Sequence, residues 1–312
     1  TYLAIATILI IFFIRKKDLH FTFSISTVTR RFRKKIIQLA SYVWGGGMLF
    51  NIASVFDSIV IAAVMPNGMA FAGIYAMAQN ISSLIQAPQR AIISSAVGPL
   101  SQAWKDKDYD KIDKVYHRSS INQLIFSCAM FSLIWLNFDD GITTFHLQED
   151  YRLAKWVFFY IGISKIIDMG TGLNSQIIAT STFWRFEFIS GVILLTLTLP
   201  LNWQLTRYYG VVGPAFSNLV TFSIYNLIRY LFLYRRFKMQ PFTNKSVYTI
   251  LLAAATYYLC FWLFNDQTGF GWIVLRSTVF VSLFGTGMFL LKLTPDALPV
   301  LLTLKKKLRL GN

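Results

Sequence analysis

Charge is what this sequence has least of. Only 14% of its 312 residues are Asp, Glu, Lys or Arg, while 55% are hydrophobic and 16% aromatic. A water-soluble domain averages roughly 25% charged residues, so the composition excludes one and points to an integral membrane protein. Cysteine is nearly missing too. Cys128 and Cys260 lie inside apolar stretches far apart in sequence, which excludes a disulfide framework or a thiolate metal or redox centre and leaves buried structural thiols. His20, His117 and His146 fall between the apolar stretches, with no cysteine or carboxylate around them at ligand spacing. No metal site and no cofactor is therefore expected. There is no nucleophile elbow, P-loop or zinc-protease helix. The connecting segments are turn-like or basic and lack the large loop and acidic or His-Asp pair of a membrane glycosyl- or acyltransferase, so the chain reads as a non-enzyme.

Acidic residues are scarce, 14 against 30 Lys and Arg, for a formal charge of +16. Such a balance invites nucleic acid as a partner, but the basic residues are spread in short clusters between apolar stretches rather than gathered on one soluble domain. That placement is the positive-inside pattern of membrane proteins, with lipid rather than nucleic acid as the surroundings.

What is there is a series of apolar stretches, each long enough to approach the ~20 residues of a membrane crossing. Residues 1–14 read as the end of a span that begins before Thr1, since the run starts abruptly and lacks the basic flank of a signal peptide. Residues 15–35 form a basic linker. Spans follow at 36–65, 69–103, 121–136, 153–179, 186–203, 212–234, 247–264 and 272–293. The basic linker, a charged loop at 105–118, the Arg235, Arg236 and Lys238 cluster and the tail holding Lys305, Lys306, Lys307 and Arg309 all fall on one side, which makes the C-terminus cytoplasmic. An all-α, polytopic membrane bundle of eight complete helices and one partial helix is the expectation.

The first two complete spans carry polar groups at helical spacing. Asn51, Ser54, Asp57 and Ser58 recur on one, and Tyr75, Gln79, Ser82, Gln86, Arg90 and Ser94 on the other. A helix does not show such a face to lipid, so the faces should line a wet interior. Lys165 and Asp168, three residues apart, are spaced to pair on one face that Thr171 and Ser175 continue. Ser217, Thr221, Tyr225 and Arg229 form another polar line. Asn51, Tyr75, Gln79, Gln86, Arg90, Lys165, Tyr225 and Arg229 are the candidate cavity residues. Asp57 and Asp168 are candidates for coupling to protons or sodium, with a satisfied structural carboxylate as the alternative. By helical rise Asp57 lies about 12 Å and Arg90 about 31 Å from the Pro66-Asn67-Gly68 turn, so those two should not pair, whereas Gln79 is near Asp57 in depth. Arg90 has the planar fork that suits a diphosphate, or else it reaches to the interface. Gly45, Gly46, Gly47 and Pro88 are candidate hinges, with close packing of small residues as the other reading of the glycines.

The run Phe56-Asp57-Ser58-Ile59-Val60-Ile61, then Gly73 to Ile81, then Pro88, Pro99 and Ser101-Gln102-Ala103-Trp104 with its following charged segment, resembles polysaccharide-unit flippases of the multidrug/oligosaccharidyl-lipid/polysaccharide exporter superfamily. The resemblance is one of sequence style and helix order, without a strict signature motif. It implies that residues 36–236 are the second six-helix lobe of a two-lobe transporter, 237–293 two added C-terminal helices, 294–312 a basic cytoplasmic tail, and 1–14 the end of an otherwise absent first lobe. It further implies a polyprenyl-diphosphate-linked oligosaccharide as substrate, a place in the bacterial inner membrane for surface polysaccharide (O-antigen) export, and work alongside polysaccharide polymerase and glycosyltransferases. The alternative within the same architecture is a cation-coupled multidrug exporter.

Overall fold

Glycine and proline set several of the helix boundaries of this chain. The structure, a computed structural model, describes residues 7, 11, 12, 14–16, 27–265 and 267–296. The chain divides into two compact units, Thr1–Gly45 and Gly46–Asn312. The described residues of the smaller unit are helical but for a turn at Lys16, and they include the first part of α1 (Thr27–Val64). The rest of the expected span at 1–14, His20 and the linker residues 17–26 lie outside the described residues, as does the tail from 297 onward. All other elements belong to the larger unit.

After α1 the chain reverses at Pro66-Asn67-Gly68, where Asn67 takes a left-handed φ of 56°. A Cβ at Gly68 would lie 2.6 Å from the carbonyl oxygens of Ile61 and Ala62, so only glycine lets the turn close so tightly on α1. The span expected at 69–103 is two helices. α2 (Gly68–Ser83) ends in a single 3-10 turn, Leu84–Gln86, and α3 (Gln89–Asp106) starts with Pro88 at its N-cap. Proline has no N–H to donate and its ring crowds the preceding turn, so the break falls where a bend was expected.

The charged segment at 105–118 is not a loop. Lys107 and Asp108 alone separate α3 from α4 (Tyr109–Thr144), and the Asp108 side chain caps the new helix by accepting from the Lys111 N–H at 3.0 Å. Asp139 and Asp140, beyond the expected span at 121–136, lie in the last turns of α4. The expected span at 153–179 is likewise broken, into α5 (Leu153–Gly170) and the short α6 (Asn174–Thr180). Gly172 makes the break: its φ is +63°, and a Cβ there would lie 2.9 Å from Ser119 Oγ and 3.0 Å from the Ser120 backbone nitrogen. Backbone groups freed by the break find partners, as when Ser120 Oγ donates to Gly170 O at 2.5 Å.

α7 (Trp184–Tyr209), a 3-10 turn Gly210–Val212, and α8 (Gly213–Phe237) form an antiparallel pair, followed by α9 (Asn244–Phe264) and α10 (Phe270–Leu290). α5 packs against α2, α4 and α8, while α9 and α10 pack against each other and against α4. Five stretches, Thr29–Val64, Tyr109–Thr144, Trp184–Phe237, Asn244–Phe264 and Phe270–Leu290, are long and apolar enough to cross a membrane, the third comprising both α7 and α8. Among the described residues there is no strand, and the chain is an all-α polytopic bundle. Val247, Ile250, Leu251, Tyr258, Phe261 and Trp262 of α9 are all exposed. So continuous an apolar face suits acyl chains rather than water.

Arg276 holds α9 and α10 to α4. It pairs with Asp140 at 2.7 Å and donates to the carbonyls of Leu136 (3.1 Å), Phe264 (3.3 Å) and Gln267 (2.7 Å). Near the other end of α4, Asp296 accepts from Arg118 Nε at 2.7 Å and Asn122 at 2.6 Å. The guanidinium beside it keeps the Asp296 carboxyl below its ordinary range.

Candidate functional site

Polar residues of α1, α2, α5, α7 and α8 converge in the larger unit on two adjoining hollows. The first is built around Asp57, which is 1% exposed. Its carboxylate accepts from Tyr75 Oη at 2.6 Å, Asn202 Nδ2 at 2.5 Å and Asn218 Nδ2 at 2.6 Å, so α2, α7 and α8 all aim donors at one anion of α1. Beside it is a cavity of about 80 Å³ lined by Ala53, Asp57, Gln79, Ser164, Lys165 and Asn218, among others. Water takes about 30 Å³ in the liquid, so the space suits two or three waters or one partly hydrated ion. Asn202 Oδ1 is buried with no hydrogen-bond partner among the described residues.

The second hollow, about 400 Å³, is lined by Gln86, Gln89, Arg90, Lys165, Asp168, Glu187, Tyr225 and Arg229, with Gly46 and the α6 start at Asn174 to Gln176. That volume lies within the range of small-molecule sites. Two of its charges are neutralised locally. Glu187 pairs with Arg229, accepting from its Nε at 3.1 Å, and takes a further bond from Ser175 Oγ at 2.7 Å, while the guanidinium stacks 3.6 Å from the centre of the Tyr225 ring. Asp168 accepts from three amides, Gln86 and Gln89 at 3.1 Å each and Asn226 at 3.2 Å. The two remaining cations, Arg90 and Lys165, form no ion pair or hydrogen bond among the described residues.

The sequence expectations fare differently one by one. Asp57, Gln79 and Lys165 share the small hollow, and Gln86, Arg90, Lys165, Asp168, Tyr225 and Arg229 share the large one. Lys165 and Asp168 do not pair; the carboxylate is already taken by amides, and the ammonium lines both hollows. Tyr75 is not a cavity wall: it is fully buried and clamps Asp57. Asn51 is exposed and turns its amide back onto Gly47 O at 2.8 Å. Six residues are about 600° of helix, so Asn51 cannot share the Asp57 face. Gly46 borders the large cavity, and a Cβ at Gly46 or Gly47 would meet nothing within 4 Å among the described residues. The boundary between the two compact units falls between Gly45 and Gly46.

Sequence reading missed Asn202, Asn218, Asn226 and Glu187. A signal for the first existed, because Thr198, Asn202 and Thr206 recur every four residues along α7 and all three are buried. Glu187 lies in the first turn of α7, which begins at Trp184 and places it at the large cavity.

No family model matches the chain, and no curated protein matches it. Solved structures do. A lipid II flippase MurJ in an inward closed conformation superposes with a TM-score of 0.67 at 15% identity, over 92% of this chain and 60% of that one. An outward-facing multidrug resistance MATE family transporter of the MOP superfamily gives 0.52 at 14% identity, over 81% of this chain and 64% of that one. A MOP superfamily transporter from Pyrococcus furiosus gives 0.51 at 14%, with the same coverage. The chain therefore spans less than two thirds of the length of each. At such identities the likeness establishes fold.

Proposed function

We propose that this chain, which has the fold of those flippases and exporters, is part of a transporter that flips polyprenyl-diphosphate-linked oligosaccharide units by alternating access, without covalent chemistry. Residues 36–236 act as the second transporter lobe and 237–293 as an added helix pair, with the basic clusters and the C-terminus on the cytoplasmic side of a bacterial inner membrane. The observation that carries the reading is the pair of unpaired cations, Arg90 and Lys165, in a polar cavity whose carboxylates are already satisfied. Lys165 is part-buried within the bundle, where an uncompensated cation is costly, and Arg90 stands exposed at the same cavity; a diphosphate supplies the missing anion. Arg90 presents its forked donors to the phosphate oxygens, Gln86 and Tyr225 offer polar wall to the sugar, and the prenyl tail stays in lipid. Asp57 acts as the coupling group for a proton or sodium ion. A lipophilic cation as substrate would ask for free carboxylates instead.

The test is export of surface polysaccharide by cells whose only copy of the full-length protein carries Arg90→Ala. Export is expected to fall at least about tenfold with membrane insertion unchanged, as for loss of one charge-assisted contact of 1.5–3 kcal/mol. Normal export by Arg90→Ala, with export of organic cations lost instead, would move the reading to the drug exporter.

A further inference from the structure

Lys165 occupies an unusual position, because it is the one charged side chain among the described residues that lines both hollows. Its stem is flexible, with three rotatable donors at the tip. Asp168 lies three residues on along the same helix, within a side chain's reach, and Asp57 lines the same 80 Å³ cavity as Lys165. The ammonium forms no ion pair or hydrogen bond with either carboxylate among the described residues. The other charged or titratable groups around the two hollows are Tyr75 of α2, Arg90 of α3, Glu187 of α7, and Tyr225 and Arg229 of α8. Glu187, Tyr225 and Arg229 are engaged with one another and Tyr75 with Asp57, so Lys165 is the cation without a bonded partner among the described residues that shares a hollow with each acid.

We propose that Lys165 is a tethered competitor for the cation site at Asp57, swinging between Asp57 and Asp168. A sodium ion or proton arriving at Asp57 neutralises it and releases the ammonium toward the large cavity, where it joins Arg90 on the substrate's diphosphate. When the cation leaves, Asp57 recaptures the lysine and the diphosphate loses half of its anchor. Cation and anion binding are thereby linked, and by thermodynamic reciprocity each strengthens the other by the same factor, of about 5- to 150-fold for ordinary allosteric coupling. The coupling rests on the reading of Asp57 and of the diphosphate given above; the competition at Asp57 does not need the diphosphate.

The experiment uses the purified full-length protein in lipid nanodiscs, with radiolabelled sodium binding measured from pH 5.5 to 8.5 and geranylgeranyl diphosphate as the anionic probe. Lys165→Gln is expected to tighten sodium or proton binding at Asp57 by about tenfold or more, since it removes a positive charge from a low-dielectric site. Lys165→Arg, which keeps the charge, is expected to stay near wild type and serves as the folding control, and Asp57→Asn is expected to abolish the cation signal. In the wild type, cation binding tightens the probe; in Lys165→Gln that dependence disappears. Equal cation affinity in wild type and Lys165→Gln, absence of any cation signal in both, or a cation dependence of probe binding that survives Lys165→Gln would overturn the proposal. Lys165-dependent cation affinity with no binding of the probe would uphold the competition and remove the diphosphate reading alone.

Discussion

Asp57→Ala is expected to be the most damaging single substitution in the bundle, and Asp57→Asn the most informative. Alanine strands the hydroxyl of Tyr75 and the amides of Asn202 and Asn218, all within 2.6 Å of the carboxylate in the native protein. Each buried donor left without an acceptor costs about 1–3 kcal/mol. Even with partial rearrangement, a loss of roughly 3 kcal/mol or more follows, read as a lowered yield of monodisperse protein and a lowered Tm in detergent. Asparagine keeps the size, still accepts from one neighbour, and offers an N–H to the unpartnered Asn202 Oδ1. Asp57→Asn therefore folds and inserts, while export falls at least about tenfold because no charge remains to exchange with a coupling ion. Measured on whole cells alongside the amount of inserted protein, normal export by Asp57→Asn would take Asp57 out of the mechanism and leave it a helix clamp.

The second large effect concerns the seam between α4 and the α9–α10 pair. Arg276 is buried, paired with Asp140 and bonded to three backbone carbonyls. Removing one partner of such a pair leaves the other charged and dry, which typically costs 3–5 kcal/mol, whereas replacing both with apolar groups of similar volume is close to neutral. Arg276→Met alone is expected to destabilise by about 4 kcal/mol and Asp140→Leu alone by a similar amount. The double variant is expected to recover more than half of either loss. The carbonyls of Phe264 and Gln267, which also lose their donor, keep recovery from being complete. Thermal unfolding of the four proteins in one detergent checks this, and additive losses in the double variant would show that the ion pair is not what fastens the seam.

Residue by residue, the amino-acid sequence shows the helices and the polar faces more clearly than it shows partners. The low charge and the long apolar runs were enough for an all-α bundle, and the Asp57, Gln79, Gln86 and Arg90 spacing was enough for a polar interior. Helix breaks were only half legible. Pro88 announces its break because a missing N–H acts locally, but the break at Gly172 depends on the approach of Ser119 and Ser120 from α4, more than fifty residues earlier in the chain. Periodicity carries no information about which distant element comes close. The same limit explains Asn202, Asn218 and Arg276: each has its partner on another helix, so its role is set by packing rather than by spacing. Lys165 and Asp168 show the converse, a pairing that helical spacing permits and that amides from α2, α3 and α8 pre-empt.

These particulars meet in one claim, that hydrophilic faces of membrane helices enclose a hollow with cations left open for an anionic lipid-linked headgroup. The measurement that bears on it most directly is translocation by the full-length protein in sealed liposomes, using a fluorescent polyprenyl-diphosphate oligosaccharide placed in one leaflet and a membrane-impermeant quencher outside. The account predicts transfer of the label between leaflets well above that in protein-free vesicles, abolished by Arg90→Ala. No transfer of the lipid-linked sugar, with uptake of a lipophilic organic cation by the same vesicles, would contradict it.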